Sequence, residues 1–114
     1  MHRSELNNYL EKTLQTATFK DYCPNGLQIE GSAEINKIAF AVSATLDSVQ
    51  QAVTLGADTL IVHHGLFWHF QGAKTLTNSF AKRIYPLVKN NINLFSYHLP
   101  LDAHPEIGNA AVLG

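Results

Sequence analysis

The chain has 114 residues, 46% of them apolar, which is enough for one packed core and too much for a disordered or fibrous chain. Eight Lys+Arg against nine Asp+Glu give a formal net charge of -1, with neither sign gathered into a run, so binding to a nucleic-acid backbone or an anionic membrane surface is disfavoured. The single cysteine, Cys23, excludes an intrachain disulfide and a thiolate zinc site. With no secretory leader at the start and no apolar run longer than 38–42, a soluble cytoplasmic protein is expected.

The elements follow in chain order. Leu6, Tyr9, Leu10 and Leu14 recur at helical spacing behind Ser4, a candidate N-cap, and predict a helix over 4–14. Residues 21–26 collect turn formers, with Pro24 fixing φ and Asn25-Gly26 suited to positive φ, so a loop is expected there. The apolar run 38–42 predicts a strand covered on both faces, and Leu46, Val49 and Val53 then mark a helix ending near Gly56. A second buried strand follows at 59–62, a second helix carries Phe80, Ile84, Leu87 and Val88 on one stripe, and a third strand occupies 92–97. Between 65 and 78 runs a long connection with Phe67, Trp68 and Phe70, a candidate functional or interface loop. Strands separated by helices of this length are normally parallel, which predicts a single α/β domain, or half-domain, with a parallel-core sheet and crossover helices over 1–114.

Six histidines are present, and five of them (His63, His64, His69, His98, His104) fall in the second half of the chain. A parallel sheet gathers its C-terminal strand ends on one edge, where open α/β folds bind ligands. His63-His64 follow the second strand and His98 follows the third, with Asp102 four residues on, so two strands bring imidazoles and a carboxylate to that edge. Adjacent strand residues face opposite sides, and Gly65 permits the departure from extended geometry that would let the two rings share a site. Two ions a few ångströms apart suit adjacent histidines better than one ion chelated by both, and a carboxylate such as Asp102 can bridge them. A dinuclear centre is therefore favoured. Set against this, a histidine beside a strand is often a structural hydrogen-bonding residue, the reading preferred for His69 and His104. Asp21 and Asn25 are explained by turn chemistry alone. No phosphate-binding glycine loop, Gly-x-Ser-x-Gly or His-Glu-x-x-His is present.

The blocks Asp21-Tyr22-Cys23-Pro24-Asn25-Gly26-Leu27-Gln28, Gly56-Ala57-Asp58, Ile61-Val62-His63-His64-Gly65-Leu66-Phe67-Trp68 and His98-Leu99-Pro100-Leu101-Asp102-Ala103-His104-Pro105-Glu106-Ile107-Gly108-Asn109 together resemble the YbgI-like dinuclear metal proteins, often labelled type 2 GTP cyclohydrolase I. The resemblance implies the N-terminal half of a duplicated α/β domain, with His63, His64 and Asp102 as metal ligands and His98 beside the metals as a ligand or proton carrier. It also implies two divalent ions (iron, zinc, manganese or magnesium) and a toroidal homohexamer built from dimers. Members are about twice this length, and their second half supplies a His-x-x-x-Glu pair that this chain lacks. Ala110 stands where an Asn is common, and His69 also departs from several relatives. The expectation is thus a partial copy of a larger metalloprotein.

Two functions follow from these residues. One is a metal-dependent hydrolase, in which metal-activated water attacks a small-molecule or nucleotide substrate, GTP if the family label holds, and His98 or His104 moves protons. The alternative is a non-catalytic metal-binding, metal-delivery or regulatory protein using the same ligands.

Overall fold

A computed structural model describes residues 1–14, 25–67 and 75–98. Among the described residues, three helices and four strands run in the order α1 (Arg3–Leu14), β1 (Gly26–Ile29), β2 (Ile38–Ser43), α2 (Leu46–Thr54), β3 (Thr59–His64), α3 (Asn78–Lys89) and β4 (Asn93–Ser96). The strands form one sheet in the order β1-β4-β3-β2. β2, β3 and β4 are parallel, as expected for strands joined by helical crossovers, while β1 lies antiparallel on β4. The fold is α/β with a parallel core, and β1 is an addition to the expected three strands. Its four residues are too few to carry a periodic signal, and its pairing depends on a strand nearly seventy positions away.

The sheet is covered on both faces. Leu60 and Val62 of β3 and Leu94 of β4 pack with Val49, Ala52, Phe80, Ile84 and Leu87 of α2 and α3. Phe95 and Tyr97 turn the other way, against Leu6 and Leu14 of α1 and Ile35. Full burial of each large apolar side chain contributes about 1.5–3 kcal/mol, so both helical layers are held on the sheet chiefly by these contacts.

Several local expectations are corrected. α1 starts one residue before Ser4, and its first turn is capped by His2, whose Nδ1 accepts from the Ser4 amide at 3.1 Å and lies 2.8 Å from the Ser4 hydroxyl. β2 is an edge strand, with Phe40 (74%) and Val42 (69%) exposed, so its apolar run does not reflect cover on both faces. Val88 is also exposed, and the buried stripe of α3 is Phe80, Ala81, Ile84 and Leu87.

The end of α2 near Gly56 is as expected. α2 ends where Gly56, at φ +70°, lets the Ala57 amide reach the Ala52 carbonyl and the Gly56 amide reach that of Val53. α3 closes in the same way through Asn91 at φ 53°. No helix among the described residues is long and apolar enough to cross a membrane.

Candidate metal centre

Because β2, β3 and β4 are parallel, Ser43, His64 and Ser96 all lie at the same edge of the sheet, and antiparallel β1 brings its first residue, Gly26, there opposite Ser96. β3 continues two residues beyond the predicted end, with His64 still paired to Ser43. The backbone of the doublet is held from both sides. The Ala44 amide donates to the His64 carbonyl at 2.8 Å, and the Ser96 hydroxyl to the His63 carbonyl at 3.3 Å.

The two rings nevertheless meet. Their centroids are 4.4 Å apart at an interplanar angle of 70°. The strand ends here and Gly65 follows, so the side chains can lean past the end of the sheet. His98 completes the group, its ring centroid 4.8 Å from that of His63 and 5.5 Å from that of His64. Each histidine can offer one ring nitrogen such that all three lie within 4.8 Å of one another, an arrangement that could hold a metal ion. His63 is buried (9% exposed), and His64 and His98 are half-buried. Imidazole is a ligand common to zinc, copper, iron and nickel, so the donor set alone fits several divalent ions.

Second contacts fix these rings and loops. The Ser43 hydroxyl lies 3.1 Å from His64 Nδ1, which leaves Nε2 as the nitrogen suited to a ligand role. Asn25 Oδ1 accepts from the His98 amide at 2.8 Å. Gln28 Oε1 accepts from the Leu66 amide at 2.9 Å and, more weakly, from that of Phe67 at 3.4 Å. Of the residues expected at the site, His63, His64 and His98 are brought together; Asp102, His69, His104, Asp21, Trp68 and Phe70 lie outside the described residues.

A family model described as Duf34/NIF3 (NGG1p interacting factor 3) matches residues 1–114. The chain belongs to this family. A relative from Vibrio cholerae, named GTP cyclohydrolase 1 type 2 homolog, is 43% identical over 113 residues, covering 99% of this chain and 44% of the relative. A solved structure described as protein ybgI, of unknown function, is 45% identical with a TM-score of 0.94, covering 99% of this chain and 45% of that one. TTHA1606 from Thermus thermophilus is 41% identical with the same TM-score, covering 99% and 46%. The Duf34/NIF3 chain thus spans about half the length of the relatives it matches, as the resemblance implied.

Three contributors to this Duf34/NIF3 site were not picked out as such from the sequence. In the sequence, turn chemistry alone explains Asn25, and nothing around Gln28 marks it as part of a site. Ser43 sits just beyond the 38–42 run, where only its pairing with His64 reveals it.

Proposed function

We propose that this Duf34/NIF3 chain contributes to a dinuclear divalent-metal centre of a metal-dependent hydrolase, with His63, His64 and Asp102 as ligands. The observation that carries the reading is the close group of three imidazoles at the C-terminal edge of the parallel strands. Two nitrogens on one ion, each bonded at about 2.0–2.1 Å, can be no more than about 4.2 Å apart. The three nitrogens lie within 4.8 Å of one another, close enough to belong to one metal centre, and the choice of two ions rests on the adjacency of His63 and His64 in the chain. Iron, zinc, manganese and magnesium are the candidates, with a second-half His-x-x-x-Glu pair completing the coordination and a toroidal hexamer as the assembled form.

Bound ions of this kind supply Lewis acidity and water activated for attack at neutral pH. This chain's own residues then have separate tasks. His63, His64 and Asp102 would hold the ions, and His98, in contact with both other rings, would take up and return protons. The name of the curated relatives, GTP cyclohydrolase 1 type 2 homolog, supports GTP as the candidate substrate.

Titration with Zn(II), read by competition with a chromophoric chelator, should show saturable binding that the His63→Ala/His64→Ala variant abolishes. Binding unchanged in that variant would refute the ligand assignment. GTP turnover that survives purification and disappears in Asp102→Ala supports the hydrolase, whereas unaltered turnover in that variant rejects it. Metal exchange to a partner without turnover on a panel of nucleotides would assign the centre to metal delivery. His98→Ala should retain metal and lose turnover; loss of metal instead would make His98 a ligand.

A further inference from the structure

Gln28 sits where β1 and β4 fall out of register. Leu27 pairs with Phe95 and Ile29 with Leu94, so two steps along β1 match one along β4 and Gln28 is the extra residue of a bulge. Bulges redirect the side chain they carry and are enriched beside functional sites. Here the redirected carboxamide reaches past β4, which separates β1 from β3, to the segment that leaves β3 directly after the histidine doublet. Its Oε1 takes the Leu66 amide at 2.9 Å and the Phe67 amide at 3.4 Å.

Gly65 is shaped to this contact. A Cβ added there would fall 2.7 Å from Gln28 Cδ and 2.8 Å from its Nε2, too close for any side chain to coexist with the carboxamide. Just before the same strand, Asn25 Oδ1 holds the His98 amide at 2.8 Å. Two amide side chains, one preceding β1 and one within it, therefore grip the backbone beside each histidine-bearing segment.

We infer that Gln28 and Asn25 are positioning residues of the metal centre: the bulged Gln28 fixes the turn out of β3 that lets His63 and His64 converge, and Asn25 sets His98 against them. The inference rests on the metal-centre reading above, but its structural half is independent of any ion. β1 then has a purpose beyond extending the sheet, since among the described strands it is the antiparallel one, whose beginning reaches the edge where the parallel strands end.

The test compares the protein with Gln28→Leu, Gln28→Glu and Asn25→Leu by Co(II) titration and by NMR amide exchange. Gln28→Leu keeps the side-chain bulk and removes the acceptor; Gln28→Glu keeps an acceptor oxygen. Gln28→Leu should weaken Co(II) binding by about tenfold or more. In the same variant the Leu66 and Phe67 amides should exchange at least about tenfold faster while Leu60 and Ile61 keep their protection, and Gln28→Glu should recover most of both effects. Asn25→Leu should release the His98 amide, which then exchanges at least about tenfold faster, and His98 exchange unchanged in that variant overturns the role given to Asn25.

Co(II) affinity within about twofold of the parent, with Leu66 and Phe67 protection unchanged in Gln28→Leu, overturns the inference, as does a Gln28→Glu variant as impaired as Gln28→Leu. If the parent protein binds no Co(II), the metal reading fails. The clamp is then decided on the metal-free protein, where Gln28→Leu must shift the ring resonances of His63 and His64 but not of His2, and their constancy overturns it.

Discussion

Ser43→Ala asks which nitrogen of His64 serves the metal centre. The hydroxyl lies 3.1 Å from Nδ1, and the backbone bearing it is held independently: the Ser48 hydroxyl donates to the Ser43 carbonyl at 2.7 Å, and Ser48 is itself locked into the capping box of α2 by Thr45. The substitution therefore removes one side-chain contact and leaves its surroundings in place. Loss of a single half-buried hydrogen bond costs about 0.5–1.5 kcal/mol of folding stability.

The effect on metal should be larger than that bond alone suggests. A Ser43 hydroxyl that accepts from Nδ1–H would hold the imidazole in the tautomer that carries its lone pair on Nε2, and loss of such an orienting partner typically weakens metal binding about 10–100-fold. Because the Ser43 contact is a single neutral bond, the low end applies, about tenfold or about 1.4 kcal/mol. Zn(II) competition titration at pH 7 measures this directly, with urea unfolding as the control for stability. Unchanged affinity would show that Ser43 does not orient the ring. Tighter binding would show that the ion uses Nδ1 and that the hydroxyl competes with it.

Tyr97 is buried beside Phe95, and its hydroxyl has no hydrogen-bond partner among the described residues; burial first, and the Glu11 carboxylate second, push its phenol well above the usual value of 10.0. A raised phenol contributes stability that is complete below pH 10 and declines as pH rises above it, so urea midpoints followed upward from pH 9 should fall more steeply for the parent than for Tyr97→Phe, and parallel curves would contradict the assignment. Asn93, fully buried, accepts from the Gly31 amide at 2.7 Å and donates to the Ser32 carbonyl at 2.7 Å. Asn93→Leu should orphan both groups and lose about 2–4 kcal/mol in urea unfolding, whereas a loss under about 0.5 kcal/mol would show that water or backbone movement replaces them.

The parts of this fold that could be read from the sequence are those whose signal is local. α1, α2 and α3 each display an apolar stripe at helical spacing, and β2, β3 and β4 are short apolar runs between them, so their alternation alone predicts the parallel core. β1 has no such signal: Gly-Leu-Gln-Ile is a strand only because β4 offers it a free edge. The same limit explains β2, where an apolar run cannot announce whether it lies at the centre or the edge of a sheet. His63, His64 and His98 could be placed at one edge from chain order, because parallel topology converts sequence position into spatial position. Their supporting residues could not, since Ser43, Gln28 and Asn25 are 21, 38 and 73 positions from the atoms they hold.

That separation bears on what a half-length Duf34/NIF3 chain can do. Four contacts that steady this cluster lie within the described residues: Ser43 from β2, Asn25 just before β1, Gln28 from β1, and Ser96 from β4. These contacts preorganise the histidine cluster from within the described residues, although the coordination proposed for it draws on further ligands. Preorganisation lowers the cost of capturing an ion without raising the number of ligands available to it. Metal should therefore bind here at the correct place but exchange readily, with affinity rising when the remaining ligands are supplied. Added as a separate chain, the second half of a full-length relative should tighten Zn(II) binding without changing the His63 and His64 ring contacts. If those contacts reorganise instead, convergence of the rings depends on the completed centre rather than on β1 and β2.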